Sequence, residues 1–121
     1  MRVTELLYEM AHLQPAQTGL MLPIYVGPDE VYGTQLPHNV PRIKISTRFS
    51  EIPITIPQSD EEIPDIPKSI FQRKTYRKKI PRGAFIQIQH YVKIHRKALT
   101  DFYFGKITEF QLKQLLGLPQ N

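Results

Sequence analysis

A chain of 121 residues, 40% hydrophobic and 22% charged, is long enough for one domain with a modest core, and its composition excludes disorder throughout. It has no cysteine, which excludes disulfides, thiolate metal sites and a cysteine nucleophile and fits a reducing compartment. The formal net charge of +5 points to a polyanionic or acidic partner, and no apolar run approaches the roughly 20 residues of a membrane span, so no membrane partner is expected.

Residues 3–14 read as a first helix, with Thr4 as N-cap, Val3, Leu6, Leu7, Met10 and Leu13 as its apolar stripe, and Pro15 as its stop. Glu5 and Glu9 within this amphipathic stretch argue against a signal peptide. Residues 19–27 read as a strand closed by Gly27-Pro28, and 27–33 as turn material. In 42–46, Arg42, Lys44 and Ser46 alternate with Ile43 and Ile45, the pattern of a strand with one dry face.

Ile-Pro recurs at 52–53, 56–57, 63–64 and 66–67. Proline removes a ladder donor and biases the residue before it to extended geometry. Ile52–Ile56 is therefore expected to be an edge strand at best, and 57–67 an extended, partly mobile loop. Lys68–Ile80 reads as an extended basic arm or short strand. Arg82–Phe104 is the longest amphipathic helix signal, with Phe85, Ile88, Tyr91, Val92, Ala98, Leu99 and Phe102 on one face. Gly105 stops it. A terminal helix follows, with Thr108 and Gln111 spaced as a capping box, Ile107 and Leu112 as a hydrophobic staple, and Gly117 as the C-terminal cap.

Together these elements predict a single-domain α+β fold over 1–121: a small, mostly antiparallel sheet from 20–56 packed on one long helix, with short helices at both termini. A proline-rich acidic loop followed by a basic arm occupies 57–82.

Charge is segregated along the chain. Ten cations, Lys68, Arg73, Lys74, Arg77, Lys78, Lys79, Arg82, Lys93, Arg96 and Lys97, fall in a tract with no acid between Asp65 and Asp101. Just upstream stand Asp60, Glu61, Glu62 and Asp65. Several cations on one surface suit phosphate contacts driven by counterion release. In this reading Lys74, Arg77, Lys78 and Lys79 meet a nucleic-acid backbone. Tyr76 stacks on a base if it is exposed, and Arg73 or Arg82 grips a phosphate in bidentate fashion. Lys93, Arg96 and Lys97 extend the surface along the helix. Two alternatives stand beside it: a solvated basic face, and an acidic loop folded back over the arm.

The four histidines, His12, His38, His90 and His95, have no metal-ligand spacing, and no cofactor motif is present. His95 continues the apolar stripe and is expected on the core side. His38, Arg42, Lys44 and one helix histidine could form a metal-free nuclease site. Of Phe102, Tyr103, Phe104 and Phe110, two are expected to pack inward, leaving another to anchor a partner or a homodimer.

Val40-Pro41-Arg42-Ile43-Lys44-Ile45-Ser46 and the stretch 91–116 resemble the DUF4160-like proteins, small uncharacterised proteins of bacteria, phages and mobile elements. Tyr103, Phe104 and Gly105 fall where those proteins tend to have Tyr, Trp and a nearby Gly. Phe104 in place of Trp, the Ile-Pro loop and the basic arm differ from them. The resemblance implies a small α+β domain in a bacterial host cytoplasm, acting in toxin–antitoxin pairs or interfering with host systems, and implies no catalytic residues. The combined expectation is a non-enzymatic protein binding nucleic acid or a host nucleoprotein complex through its basic surface. Its alternatives are an inhibitor or antitoxin-like partner of an acidic host protein surface and a metal-independent ribonuclease toxin.

Overall fold

The computed structural model describes residues 11–27, 40–48 and 50–118. Among these, the elements in chain order are β1 (Ala11–Leu13), α1 (Pro15–Thr18), β2 (Ile24–Val26), β3 (Arg42–Ser46), β4 (Glu51–Thr55), α2 (Arg73–Lys78), α3 (Arg82–Ile94), α4 (Arg96–Tyr103) and α5 (Glu109–Leu115). The class is α+β. The strands form one antiparallel sheet in the order β1-β2-β3-β4.

Strand alternation makes one face of this sheet dry. Leu13, Ile24, Ile45 and Ile52 lie in one cross-strand row over all four strands, and Ile43 pairs with Ile54 beside it. All six are buried in the core, together with Ala84, Phe85, Ile88 and Val92 of α3, Leu99 and Phe102 of α4, and Leu112 of α5. The apolar stripe read from the sequence is therefore the face these helices bury. Tyr91 and Ala98, at its margin, are half-buried against it.

The helix carrying the stripe is not continuous. His95, at φ −101° and ψ 19°, stands outside the helical well and divides α3 from α4. Its N–H still donates to the Tyr91 carbonyl at 3.1 Å, and its own carbonyl accepts from Leu99 N–H at 3.0 Å. The chain thus bends and continues. No proline or glycine stands at this point, and apolar residues of both segments, Val92 on one side and Leu99 on the other, are buried in the same core.

Three other expectations are corrected. Residues 11–13 form an edge strand paired with Ile24–Val26, so tertiary pairing overrides the helical period there; residues 3–10 of the expected helix, and most of the expected 27–33 turn, lie outside the described residues. The 19–27 strand contracts to Ile24–Val26, because Pro15–Thr18 forms a helical turn ended by Gly19 at φ 80°. The 68–80 arm contains the helix Arg73–Lys78, entered through Gln72 in the left-handed region at φ 63°.

The 57–67 segment is fastened to the body. Thr55 N–H donates to the Asp65 carbonyl at 3.0 Å, which occupies the outer edge of β4 that Pro53 already blunts. Gln89 Nε2 donates to the Pro64 carbonyl at 2.7 Å, and Ile66 is buried in the core. Both later helices end as the sequence indicates. Lys106 N–H reaches back to the Asp101 carbonyl and Leu118 N–H to that of Lys113, at 2.8 and 2.9 Å, around glycines at φ 75° and 72°. The Thr108–Gln111 capping box is present in both directions. Among the described residues no helix is long and apolar enough to cross a membrane.

Candidate nucleic-acid interface

The ten candidate residues separate into those that hold the chain together and those that face solvent. Arg73 opens α2, a helix with a cation at four of its six positions. Its Nη2 meets Asp65 Oδ2 at 2.6 Å and its Nε donates to the Ile66 carbonyl at 2.8 Å. It therefore clamps the proline-rich segment and is not available for a bidentate phosphate contact. One turn on, Arg77 lies 3.9 Å from the Phe85 ring centroid, and its Nη1 donates to the Ile80 carbonyl at 3.4 Å. It seals the junction of α2 with α3.

Tyr76 is half-buried against the core, with Lys79 Nζ 5.4 Å from its ring centroid, so it does not offer an open face for a base. Lys79 also donates to Ser50 Oγ at 3.1 Å, tying α2 to the β3–β4 turn. Arg96, the first residue of α4, pairs with Asp60 at 2.8 Å. Lys97 reaches Asp101 at 3.5 Å along the same helix.

The acidic loop thus does fold back, through Asp60 to Arg96 and Asp65 to Arg73, as one of the alternative readings of the sequence requires. Lys74, Lys78, Arg82 and Lys93 remain exposed, with no counter-ion among the described residues. Lys74 and Lys78 are one turn apart on α2. Arg82 and Lys93 are eleven residues apart on α3, which returns them to one face about 16 Å apart along the axis.

The two basic groups of the 42–46 strand, expected on its wet face, are more buried than that alternation implies. Arg42 is 5% exposed, with its guanidinium 5.8 Å from the Tyr103 ring centroid and its Nη1 on the Val40 carbonyl at 3.3 Å. Burial holds the half-buried Lys44 ammonium below the ordinary lysine range; Glu51 opposes the shift and Arg42 adds to it. His38 lies outside the described residues, so the nuclease constellation has its arginine buried and its histidine unplaced.

His95 is half-buried, its ring centroid 4.6 Å from that of Tyr91, and burial holds its imidazole below the ordinary value. The core-side position expected for it is met only in part, since the ring also lines a surface groove with Ile94 and Leu115. The Tyr91 hydroxyl beside it is buried with no hydrogen-bond partner among the described residues, and burial raises its pKa. Phe102 and Tyr103 pack inward, while Phe104 and Phe110 remain exposed. Next to the helix bend, Ile94, His95, Lys97, Ala98, Asp101 and Leu115 line a groove of about 250 Å³. Ile94 and Leu115 are 61% and 60% exposed on its rim.

Among the described residues no three His, Asp or Glu side chains converge in a way that could hold a metal ion. No family model, no curated protein and no solved structure matches the chain.

Proposed function

We propose that the chain is a non-enzymatic binding protein of the phage or mobile-element type. It engages nucleic acid, alone or within a host nucleoprotein complex, through the solvent-facing cations of α2 and α3. The observation that supports this reading is the set Lys74, Lys78, Arg82 and Lys93, exposed and without counter-ions among the described residues. A cation already paired gains little from a phosphate, whereas an unpaired one releases counterions when it meets a polyanion. The phage or mobile-element assignment rests on the family resemblance of residues 40–46 and 91–116.

A gel-shift titration of the full chain at low salt tests the reading. Retention of DNA or RNA is expected, with loss of retention when Lys74 and Lys78 are both changed to Glu. Absence of retention by the unaltered chain contradicts it.

A second reading draws on the groove beside the helix bend. Its apolar rim of Ile94 and Leu115, next to Lys93 and Lys97, suits an acidic host protein that inserts an apolar side chain. An inhibitor or antitoxin-like chain of this kind retains one protein partner from host lysate after nuclease treatment and loses it on Leu115→Glu. Loss of all partners on nuclease treatment favours the first reading.

A further inference from the structure

Residues 73–94 form two helices, α2 and α3, joined by the three-residue turn 79–81. Ile80 in the turn is buried, as are Ala84 and Phe85 in the first turn of α3, and Arg77 covers the Phe85 ring. Packing thus fixes the turn, and the pair has the connection of a helix-turn-helix unit. The two helices differ in depth. α2 contributes no fully buried residue, whereas α3 buries Ala84, Phe85, Ile88 and Val92 and leaves its opposite face in solvent.

That outer face is patterned. Gly83, Ile86 and His90, three and four residues apart, form one exposed stripe, with the exposed Arg82 and Lys93 beside its two ends. Ile86 is 52% exposed. A Cβ at Gly83 would meet nothing within 4 Å, so packing within the chain does not call for a glycine there, although glycine is a poor helix residue. The bare backbone leaves room for close approach of another molecule. The exposed acids Glu61 and Glu62 lie in the segment that Gln89 and Arg96 hold, so they adjoin the C-terminal half of α3 rather than its start.

We infer that α2 and α3 act as a helix-turn-helix unit on duplex DNA, with the N-terminal half of α3 in the major groove. Gly83 lets the helix sit deep, Ile86 covers a thymine methyl, His90 donates to a purine N7, and Arg82 reaches a flanking phosphate. Lys74 and Lys78 of the first helix lie on the adjoining backbone. The major groove of B-form DNA admits a helix, whereas that of an RNA duplex is too narrow for side chains to read. The inference rests on the nucleic-acid reading above and adds the strand form, the groove and the residues that face the bases.

The test is fluorescence anisotropy of the full chain at low salt. The first probe is a DNA duplex of alternating adenine and thymine, about 20 base pairs or two helical turns long. The others are the same duplex with deoxyuridine for thymidine, the RNA duplex of alternating adenine and uracil, and an oligothymidylate single strand. The thymine duplex is expected to bind most tightly, about fourfold better than the deoxyuridine duplex, which lacks the methyl that Ile86 covers. Ile86→Ala is expected to abolish that difference. Gly83→Gln is expected to weaken the thymine duplex about tenfold without lowering the denaturation midpoint.

Equal affinity of the unaltered chain for the thymine and deoxyuridine duplexes overturns the groove placement, as does a difference that persists in Ile86→Ala or an unchanged affinity in Gly83→Gln. If Gly83→Gln loses the native circular dichroism, the thymine comparison with Ile86→Ala decides alone. Binding to the RNA duplex or the single strand as tight as to the DNA duplex overturns it and leaves the basic-helix reading standing. Failure of the unaltered chain to bind any probe removes both.

Discussion

The arginines and lysines of one short helix do opposite jobs. In α2, Arg73 and Arg77 turn towards the protein, one on Asp65 and the Ile66 carbonyl, the other on the Phe85 ring and the Ile80 carbonyl. Lys74 and Lys78, each one residue further on, face solvent. Arg42 turns inward against Tyr103, whereas Arg96 pairs at the surface with Asp60. The guanidinium is planar, weakly hydrated and multiply donating, so it can serve a carboxylate, a carbonyl and a ring together. The ammonium is compact and strongly hydrated and stays in water. A count of ten cations therefore overstates the surface available to a partner. Within α2 the type of cation divides them; elsewhere Arg82 faces solvent, and Lys79 and Lys97 are engaged by Ser50 and Asp101.

Substitutions can break that division. Arg73→Ala is expected to have the largest effect on stability, about 1–2 kcal/mol by urea denaturation. It removes two charge-assisted hydrogen bonds, discounted because the pair is partly solvated. Arg77→Ala comes next at about 1 kcal/mol, from lost ring contact and lost cover of the α2–α3 junction. Asp60→Asn is expected to cost no more than about 0.5 kcal/mol, since that carboxylate is 92% exposed. Lys74→Gln with Lys78→Gln falls within about 0.5 kcal/mol of the unaltered chain. A stability loss in the lysine pair as large as that of Arg73→Ala would erase the distinction.

His95 is a third kind of basic group, one whose charged form burial disfavours. Its folded pKa lies below the ordinary 6.5, so between that lowered value and 6.5 the unfolded chain binds more protons than the folded one. Stability contributed by the neutral ring is complete above about pH 6.5 and is lost as pH falls through the folded value. Denaturation midpoints should therefore decline on the acid side of pH 6.5 in the unaltered chain and decline less in His95→Gln. An identical slope in both would place the sensitivity elsewhere. Tyr91→Phe, which removes a buried hydroxyl with no partner among the described residues, is expected to be neutral or stabilising by up to about 1 kcal/mol.

Local rules were legible in the sequence and long-range ones were not. The β3 strand, the Thr108–Gln111 box and the stops at Gly105 and Gly117 each depend on residues within a few positions, and each stands where the pattern puts it. The apolar stripe of 85–102 named its buried residues because period alone fixes a helix face. The bend at His95 had no breaker residue to announce it. Residues 11–13 fit a helical stripe as well as a strand until β2 is in place to pair with them. The basic α2 lacks apolar periodicity, since Tyr76 is its one large ring and it contributes no fully buried residue.

In the candidate site, composition showed the charge but not its partners. The Arg96–Asp60 contact joins residues 36 apart in sequence, and no spacing rule predicts it.

The salt dependence of nucleic-acid affinity tests the central claim most directly. Each lysine that meets a phosphate on a duplex contributes about 0.9 to the slope of log affinity against log salt. Changing Lys74 and Lys78 together to Gln should reduce that slope by about 1.8, while Arg77→Gln, whose guanidinium sits on Phe85, should leave it unchanged. A slope unaltered by the lysine pair, or reduced as much by Arg77→Gln, would contradict the assignment of the inward arginines of α2 to the fold and of its outward lysines to the partner.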